Sequence, residues 1–197
     1  MSRHFRRRPG WQRPRGFTLI ELLVTVAVAG VLLAVAAPLL RDFVSSRAVA
    51  SQAADLVATL RYARGEAMKR TNPVSVCRID SPAATTCSTS AGGWQYWMVF
   101  VEHGNRGIYD SGEVKLRVEN TGSSAIVYKA VNGTTYISFQ STGIALWDPA
   151  AASSQLQWEF DPVISKTSSS YLRAVRFVCL NTQGRAAVVD GNSQCTT

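Results

Sequence analysis

Histidine is scarce in this sequence: there are two among 197 residues, and only His103 lies beyond the first 16 positions. One histidine without a neighbouring acid–base set gives little basis for general acid–base catalysis. The Gly-x-Ser-x-Gly, His-Glu-x-x-His and glycine-rich phosphate-loop patterns are also missing. No Cys-x-x-Cys spacing exists, and one histidine falls short of the usual zinc ligand set. We therefore expect no enzymatic activity, no bound metal and no cofactor.

Acidic residues are absent from the first 16 positions, which instead carry six arginines: Arg3, Arg6, Arg7, Arg8, Arg13 and Arg15. The whole chain has a formal charge of +8, from 21 lysines and arginines against 13 aspartates and glutamates. Without those six arginines the balance is 15 against 13, or about +2, so the basic charge is a weak argument for nucleic acid binding. A basic segment before an apolar run predicts an N-terminus in the cytoplasm and a remainder across the membrane.

Formal charge is nearly absent from the next 24 residues, Phe17–Leu40, where Glu21 is the only charged side chain. As a helix this run would be about 36 Å long, enough to cross a bilayer. A carboxylate at that depth costs about 2.5–3.5 kcal/mol, so a partner is expected for it. If the chain were cut between Gly16 and Phe17, Glu21 would become the fifth residue, one helical turn from a new terminal amine.

The consecutive residues Gly16-Phe17-Thr18-Leu19-Ile20-Glu21, between a basic leader and an apolar span, resemble the processing site of the type IV pilin and pseudopilin superfamily. The resemblance implies that a prepilin peptidase removes residues 1–16 as a leader and methylates Phe17. It also implies that residues 17–40 are retained as a transmembrane and filament-core helix. Glu21 would then contact a terminal amine during assembly.

An ordinary secretory signal peptide is the alternative. Ala34-Val35-Ala36 has the small-x-small pattern that a signal peptidase prefers, and cleavage there would release a domain starting near Ala37. The apolar core of a signal peptide is usually shorter and rarely holds an acid, which favours cleavage after Gly16.

Beyond Leu40 a helical pattern continues over residues 41–72. Apolar or small residues recur in alternating steps of four and three at Val49, Ala53, Leu56, Leu60, Ala63 and Ala67. This segment is predicted to be the amphipathic half of one long helix, ended by Asn72-Pro73 because a residue before proline disfavours helical geometry. Pro38 lies inside the helix. In pilins a proline near this place marks a bend or melted stretch, so the resemblance implies a helix bend at Pro38 and a helix that can lengthen when it is packed in a filament. A simple kink near the membrane face is the alternative.

After Pro73 the composition changes to short runs rich in Val, Ile, Tyr, Phe and Trp between turn residues, and no second helical pattern is present. We predict strands at Val74–Ile79, Trp94–Val101, Glu113–Val118, Ala125–Lys129, Thr135–Gln140, Leu156–Phe160, Tyr171–Cys179 and Arg185–Val189. Both faces of Trp94–Val101 are largely apolar, so both should be buried. The predicted fold class is α+β and pilin-like, with a long N-terminal helix packed on an antiparallel β-rich domain at 73–197.

Four cysteines, Cys77, Cys87, Cys179 and Cys195, are an even number in a domain expected outside the cytoplasm, which indicates disulfides. Three pairings are possible. We favour Cys77–Cys87 and Cys179–Cys195 because each closes a short loop of polar residues. Each bond would add about 2–3 kcal/mol of stability.

Two further segments, Trp97–Glu102 with the loop after it and Cys179–Arg185, resemble the FimT/FimU and general-secretion H-type (GspH) minor pilins. The resemblance implies a minor pilin that is incorporated into a type IV pilus and helps to assemble it. A prepilin peptidase, other minor pilins and the major pilin would be its partners. Pseudopilin H of a type II secretion system is the alternative. Either protein would lie in the inner membrane, with its C-terminal domain in the periplasm, before it joins a pilus or pseudopilus.

DNA binding is a third hypothesis. FimT-like proteins that serve DNA uptake carry a Gly-Arg-x-Arg motif, but Ala187 follows Gly184-Arg185 where the second arginine would stand. Losing one phosphate-facing cation weakens binding that depends on summed charge. Arg173 and Arg176 could compensate, with Lys129 and Lys166, if they shared that face. On a regular strand, however, the two arginines would point to opposite sides, so solvated surface arginines are the favoured interpretation.

The segment Glu102–Glu113 also mimics a calcium loop, with oxygens on Glu102, Asn105, Asp110 and Glu113. Gly104 and Arg106 stand where the EF-hand spacing needs ligands. A connection between strands explains the glycine and aspartate content, so no metal is expected there.

Overall fold

The computed structural model describes residues 16–90, 92–120, 126–151, 153–167, 171–191, 193 and 195. The expectations for the leader arginines and for Ala125 lie outside these residues. The chain divides into two compact units, Met1–Leu40 and Arg41–Thr197.

Helix α1 runs from Leu19 to Arg70 and contributes to both units. In the first unit its apolar side chains are more than half exposed at consecutive positions, from Leu19 through Val24 and on to Val35. A helix that is apolar on all sides is typical of a membrane span, and this part of α1 is long and apolar enough to cross a bilayer. The helix continues through Pro38, and the bend expected there stays a prediction.

In the second unit α1 buries the stripe that the sequence predicts. The six residues Val49, Ala53, Leu56, Leu60, Ala63 and Ala67 are fully buried. Thr71 follows the helix with a left-handed φ of 58°, a conformation that commonly ends helices. The helix therefore stops one residue before Asn72-Pro73.

The described residues form nine strands: β1 Val74–Ile79, β2 Tyr96–Val101, β3 Lys115–Asn120, β4 Ile126–Ala130, β5 Tyr136–Phe139, β6 Ala145–Trp147, β7 Gln155–Pro162, β8 Arg176–Asn181 and β9 Ala186–Asp190. Sheet 1 has the order β3-β2-β1-β5-β6, and sheet 2 has the order β4-β7-β8-β9. All neighbouring strands are antiparallel. The expected α+β class is thus confirmed, with the strands divided between two sheets.

The main core joins α1 to the inner faces of both sheets. Trp94, Trp97 and Trp158 are its largest buried side chains. The indole N–H of Trp97 donates to Thr59 Oγ1 on α1 at 3.4 Å, and that of Trp94 donates to the Thr134 carbonyl oxygen at 3.0 Å. Trp94 and Trp97 thus fill the core with their rings while each indole N–H has a hydrogen-bond acceptor, as buried tryptophans usually do.

Each sheet also carries a smaller apolar cluster that is closed by a disulfide. On the face of sheet 1 that points away from the main core, Met98 and Phe100 of β2 pack with Cys77 and Ile79 of β1. Both faces of β2 are therefore buried, as predicted. The structure contains the disulfides Cys77–Cys87 and Cys179–Cys195, the two pairs favoured from the sequence. The second bond belongs to the apolar cluster on the face of sheet 2 that points away from the main core.

The segment before β8 and the strand β6 differ from the expectations. Tyr171–Ala174 is a helical turn, α2. The prediction of a strand over Tyr171–Cys179 is therefore wrong in its first half. The prediction that no second helix follows α1 is also wrong. The Tyr171 ring is buried against sheet 2, and its hydroxyl donates to Asp161 Oδ1 at 3.0 Å. This contact holds the segment off the sheet until Arg176. Strand β6 has only three residues, too few for an alternating pattern to be recognised.

Glu159 on β7 gives a prediction for pH dependence. Burial raises its pKa, and the nearby Asp161 carboxylate raises it further. An acid whose pKa rises on folding binds more protons in the native state, so stability falls as pH increases from the unfolded pKa through the folded one. We expect Glu159→Gln to raise the Tm of the unit Arg41–Thr197 by about 1–3 °C at pH 7.5. Below about pH 4 both proteins should melt alike, because glutamate is then protonated in both states.

Thermal unfolding followed by circular dichroism at the two pH values tests this. Glu66→Gln is the control, because a hydrogen bond from Arg70 lowers the pKa of Glu66 and its removal should give no gain at pH 7.5. An unchanged or lower Tm for Glu159→Gln at pH 7.5 would contradict the prediction.

Candidate assembly site

The start of α1 is capped by Thr18. The backbone N–H of Glu21 donates to Thr18 Oγ1 at 3.3 Å, and that of Leu22 donates to the Thr18 carbonyl oxygen at 3.1 Å. Thr18 and Glu21 have the spacing of a capping box, in which the acid sits at the third helical position. Glu21 is the acidic residue of the first turn, where the helix dipole favours a negative charge. This helix cap was not predicted from the sequence, although the Thr-x-x-Glu spacing is a signature of a helix start.

Gly16 and Phe17 precede the helix and are accessible. Phe17 is 82% exposed, and no heavy atom of the described residues lies within 4 Å of the position that a Cβ on Gly16 would occupy. Both residues have non-helical backbone, as a peptidase needs for access to the peptide bond between them. A cut there would leave an amine on Phe17, next to the residue that caps the helix.

The loop between β2 and β3 is closed by Glu113. This side chain is buried, and its carboxylate accepts hydrogen bonds from three backbone N–H groups, those of His103, Gly104 and Asp110, at 2.7, 3.2 and 3.1 Å. The predicted strand from Glu113 therefore begins two residues later, at Lys115, because the Glu113 carboxylate is turned towards the loop.

Glu102, the other glutamate of the suggested calcium loop, belongs to a different network. It is buried, and its Oε2 accepts hydrogen bonds from the hydroxyls of Ser75 and Ser138. The carboxylates of Glu102 and Glu113 thus accept hydrogen bonds from hydroxyl and backbone N–H groups of the protein. Within the ranges that the structure describes, no three His, Cys, Asp or Glu side chains form a group that could hold a metal ion.

The turn between β8 and β9 contains Gly184 and Arg185. Gly184 has a φ of 73°, and a Cβ there would lie 2.3 Å from the Gly143 carbonyl oxygen and 3.0 Å from Arg64 Nε. Arg64 Nε itself donates to that carbonyl oxygen at 3.0 Å. The packing of two turns against α1 therefore requires glycine at position 184, independently of any role for Arg185.

The structure does not bring Arg173 and Arg176 to Arg185. Arg173 lies in α2, so the expectation that it shares a strand with Arg176 is wrong. Arg176 pairs with Asp190 at 3.3 Å, and these two residues lie opposite each other at the end of the hairpin away from Arg185.

Two arginines of α1 lie beside the β8–β9 turn instead. Arg61 Nη2 donates to the Ala186 carbonyl oxygen at 3.2 Å, and Arg64 contacts Gly184 as described above. Their spacing of three residues places them on one helix face. The sequence shows this spacing, but only the tertiary structure shows which turns they meet.

Comparisons with known proteins agree with this architecture. The family model described as type II transport protein GspH matches residues 52–194, and that of the prokaryotic N-terminal methylation motif matches residues 11–37. The comparison with curated proteins found no match. A crystal structure of the type IV minor pilin FimU of Pseudomonas aeruginosa, in space group P21, is similar with a TM-score of 0.52 and 16% identity, over 77% of this chain and 95% of that one. A second crystal structure of that protein, in space group P65, has a TM-score of 0.47 and 16% identity, over 73% of this chain and 94% of that one.

The first of these structural similarities confirms the pilin-like fold. The methylation motif implies processing by a prepilin peptidase and assembly with other pilins, and the apolar half of α1 indicates anchoring in the inner membrane. The family is one of structural, non-enzymatic proteins. Because the GspH model covers more than half of the sequence, the chain belongs to the GspH family within the type IV pilin and pseudopilin superfamily.

Proposed function

We propose that this chain is a minor pilin of a type IV pilus, of the FimT/FimU kind, and that it acts by assembly into the filament. Its leader is residues 1–16, cut between Gly16 and Phe17. Residues 17–40 form the membrane and filament-core helix, residues 41–72 the amphipathic half, and residues 73–197 the globular domain. The boundary between the two compact units, at Leu40 and Arg41, supports this division.

The observation that carries the proposal is the exposed apolar surface of α1 up to Leu40. The large apolar side chains described from Leu19 to Val35, and that of Leu40, are more than half exposed, while the second unit has a closed core of its own. Such a surface is stable in lipid or against other apolar helices, and not in water. A filament supplies that second environment when neighbouring helices form a bundle.

Glu21 gives this helix a means of ordering the bundle. Its carboxylate is the only formal charge in Phe17–Leu40, and burial without a counter-ion is unfavourable. The methylated amine of a neighbouring subunit supplies that counter-ion only when the two helices have the correct axial offset. In this proposal the pair sets the position of each new subunit, with the N-terminus towards the cytoplasm before assembly.

Pseudopilin H of a type II secretion system is the second candidate, because the family model that matches residues 52–194 is described by that transport system. Both candidates use the same processing and the same helix. DNA capture is not favoured, since Arg173 and Arg176 lie at the far end of the hairpin from Arg185.

Mass spectrometry of the mature protein in sheared pili tests the proposal. We expect a polypeptide that begins with N-methylated Phe17 and is enriched with the major pilin. A strain without prepilin peptidase is the control, and there the protein should keep residues 1–16 and be missing from the sheared fraction. A soluble protein that begins at Ala37 would refute the proposal, and methylated protein found only in pseudopili would favour the second candidate.

A further inference from the structure

One surface of the globular unit combines arginines with exposed apolar side chains. We define the junction patch as Arg61, Arg64, Met68, Ile144 and Arg185. Met68 and Ile144 are each 47% exposed, and Met68 Sδ lies 3.1 Å from the position of a Cβ on Gly143. A Cβ on Gly184 would lie 2.3 Å from the Gly143 carbonyl oxygen, so the two turns are in close contact. The next residues of these turns, Ile144 and Arg185, are both exposed, which places them in one surface region.

The charge of the junction patch is positive. It contains three guanidinium groups and no carboxylate. Glu66, the nearest acid along α1, is held by Lys69 and Arg70 at 3.7 and 2.6 Å. The Arg185 side chain is exposed, and no hydrogen bond or ion pair joins it to another residue in the described part of the chain.

Two of the guanidinium groups are already fixed in place. Arg61 and Arg64 each donate to a backbone carbonyl oxygen of a turn, that of Ala186 and that of Gly143. A guanidinium has five N–H donors in a planar fork, so donors remain for a ligand. Because these side chains are ordered before binding, less conformational entropy is lost when a carboxylate binds them.

The composition of the patch fits a protein partner better than DNA. Arginine and methionine are enriched in protein interfaces, where lysine is depleted. Burial of Met68 and Ile144 would stabilise a protein complex. Affinity for a phosphate backbone, in contrast, depends mainly on the number of cations. Three cations around two apolar side chains therefore match a protein surface with carboxylates around an apolar side chain.

We infer that the junction patch is the docking surface for another pilin subunit of the same filament, one that presents aspartate or glutamate side chains around an exposed apolar residue. This inference rests on the proposed function, since it names the surface by which the incorporated chain contacts its neighbour. The helix bundle sets the axial position, and the patch selects which subunit lies beside the globular unit.

Site-specific photo-crosslinking in cells that assemble filaments tests this. The full chain carries p-benzoylphenylalanine at Ile144 or, as a matched control, at Val131, which is 45% exposed. We expect Ile144 to give about fivefold more adduct with another methylated pilin than Val131 does, and Arg185→Glu to reduce that adduct about fivefold through like-charge repulsion. Arg106→Glu, at an exposed cation outside the patch, should leave it unchanged.

Equal adduct at Ile144 and Val131, or an adduct insensitive to Arg185→Glu, would overturn the inference. So would a nuclease-sensitive adduct, which would identify DNA, or an adduct with a second copy of this chain. Failure of the proposed function is distinguishable, because the chain would then be missing from sheared filaments whichever residue carries the crosslinker. If only the docking inference fails, the chain remains in the filaments.

Discussion

Replacing Glu21 by alanine is expected to remove the protein from filaments while its synthesis, membrane insertion and cleavage after Gly16 remain normal. In the assembled bundle the terminal amine would lose its counter-ion inside an apolar environment. Breaking a buried ion pair by removing one partner costs about 3–5 kcal/mol. At tenfold per 1.4 kcal/mol this corresponds to a loss of incorporation of more than about 100-fold.

Immunoblots of sheared filaments and of membranes give the measurement for Glu21→Ala. Asp55→Ala is the matched control, because Asp55 is an exposed acid on the same helix but in the second unit. It should be incorporated like the wild type. Normal incorporation of Glu21→Ala would contradict a role for the Glu21 carboxylate in assembly, because the cap contact with Thr18 uses only the backbone N–H of residue 21.

Replacing Gly184 by alanine is expected to destabilise the unit Arg41–Thr197 by about 2–5 kcal/mol. The left-handed backbone at Gly184, with φ of 73°, accounts for about 1–2 kcal/mol of this. The added Cβ would lie 2.3 Å from the Gly143 carbonyl oxygen. That oxygen belongs to the backbone and cannot rotate away, so the turns must separate at a further cost of about 1–3 kcal/mol.

Urea unfolding of the same unit measures this, and Gly133→Ala is the matched control. Gly133 has a similar φ of 69°, but in the part of the chain that the structure describes no heavy atom lies within 4 Å of its Cβ position. It should therefore lose only the conformational part, about 1–2 kcal/mol. Equal losses at the two glycines would show that the contact between the β5–β6 and β8–β9 turns does not constrain position 184.

Much of this fold follows from short-range patterns. The apolar run to Leu40 and the stripe from Val49 to Ala67 are readable because helical periodicity depends only on neighbours three and four residues apart. Most strand centres were recognisable for the same reason, since alternation is local. The candidate site at Gly16, Phe17 and Glu21 is likewise a continuous stretch of sequence.

The exceptions depend on contacts between distant segments. Tyr171 would suit a strand by its own preference, but its ring and hydroxyl bind the outer face of sheet 2 and favour the helical turn α2. Glu113 and Arg185 are part of predicted strands but lie in loops. The Glu113 carboxylate accepts a hydrogen bond within its loop, and the backbone N–H of Arg185 donates one within its turn. Such pairs carry no periodic signal in the sequence.

By itself the sequence determined the class of this protein: an acid in the first turn of an apolar helix, a basic segment before that helix and a β-rich domain behind it. Only the tertiary structure decided what surrounds the Gly184-Arg185 turn. It placed Arg61 and Arg64 there and left Arg173 and Arg176 at the other end of the hairpin. The physical reason is that a helix and its first-turn charges arise from local hydrogen bonds, whereas a surface patch is assembled by long-range packing that brings together residues more than 100 positions apart.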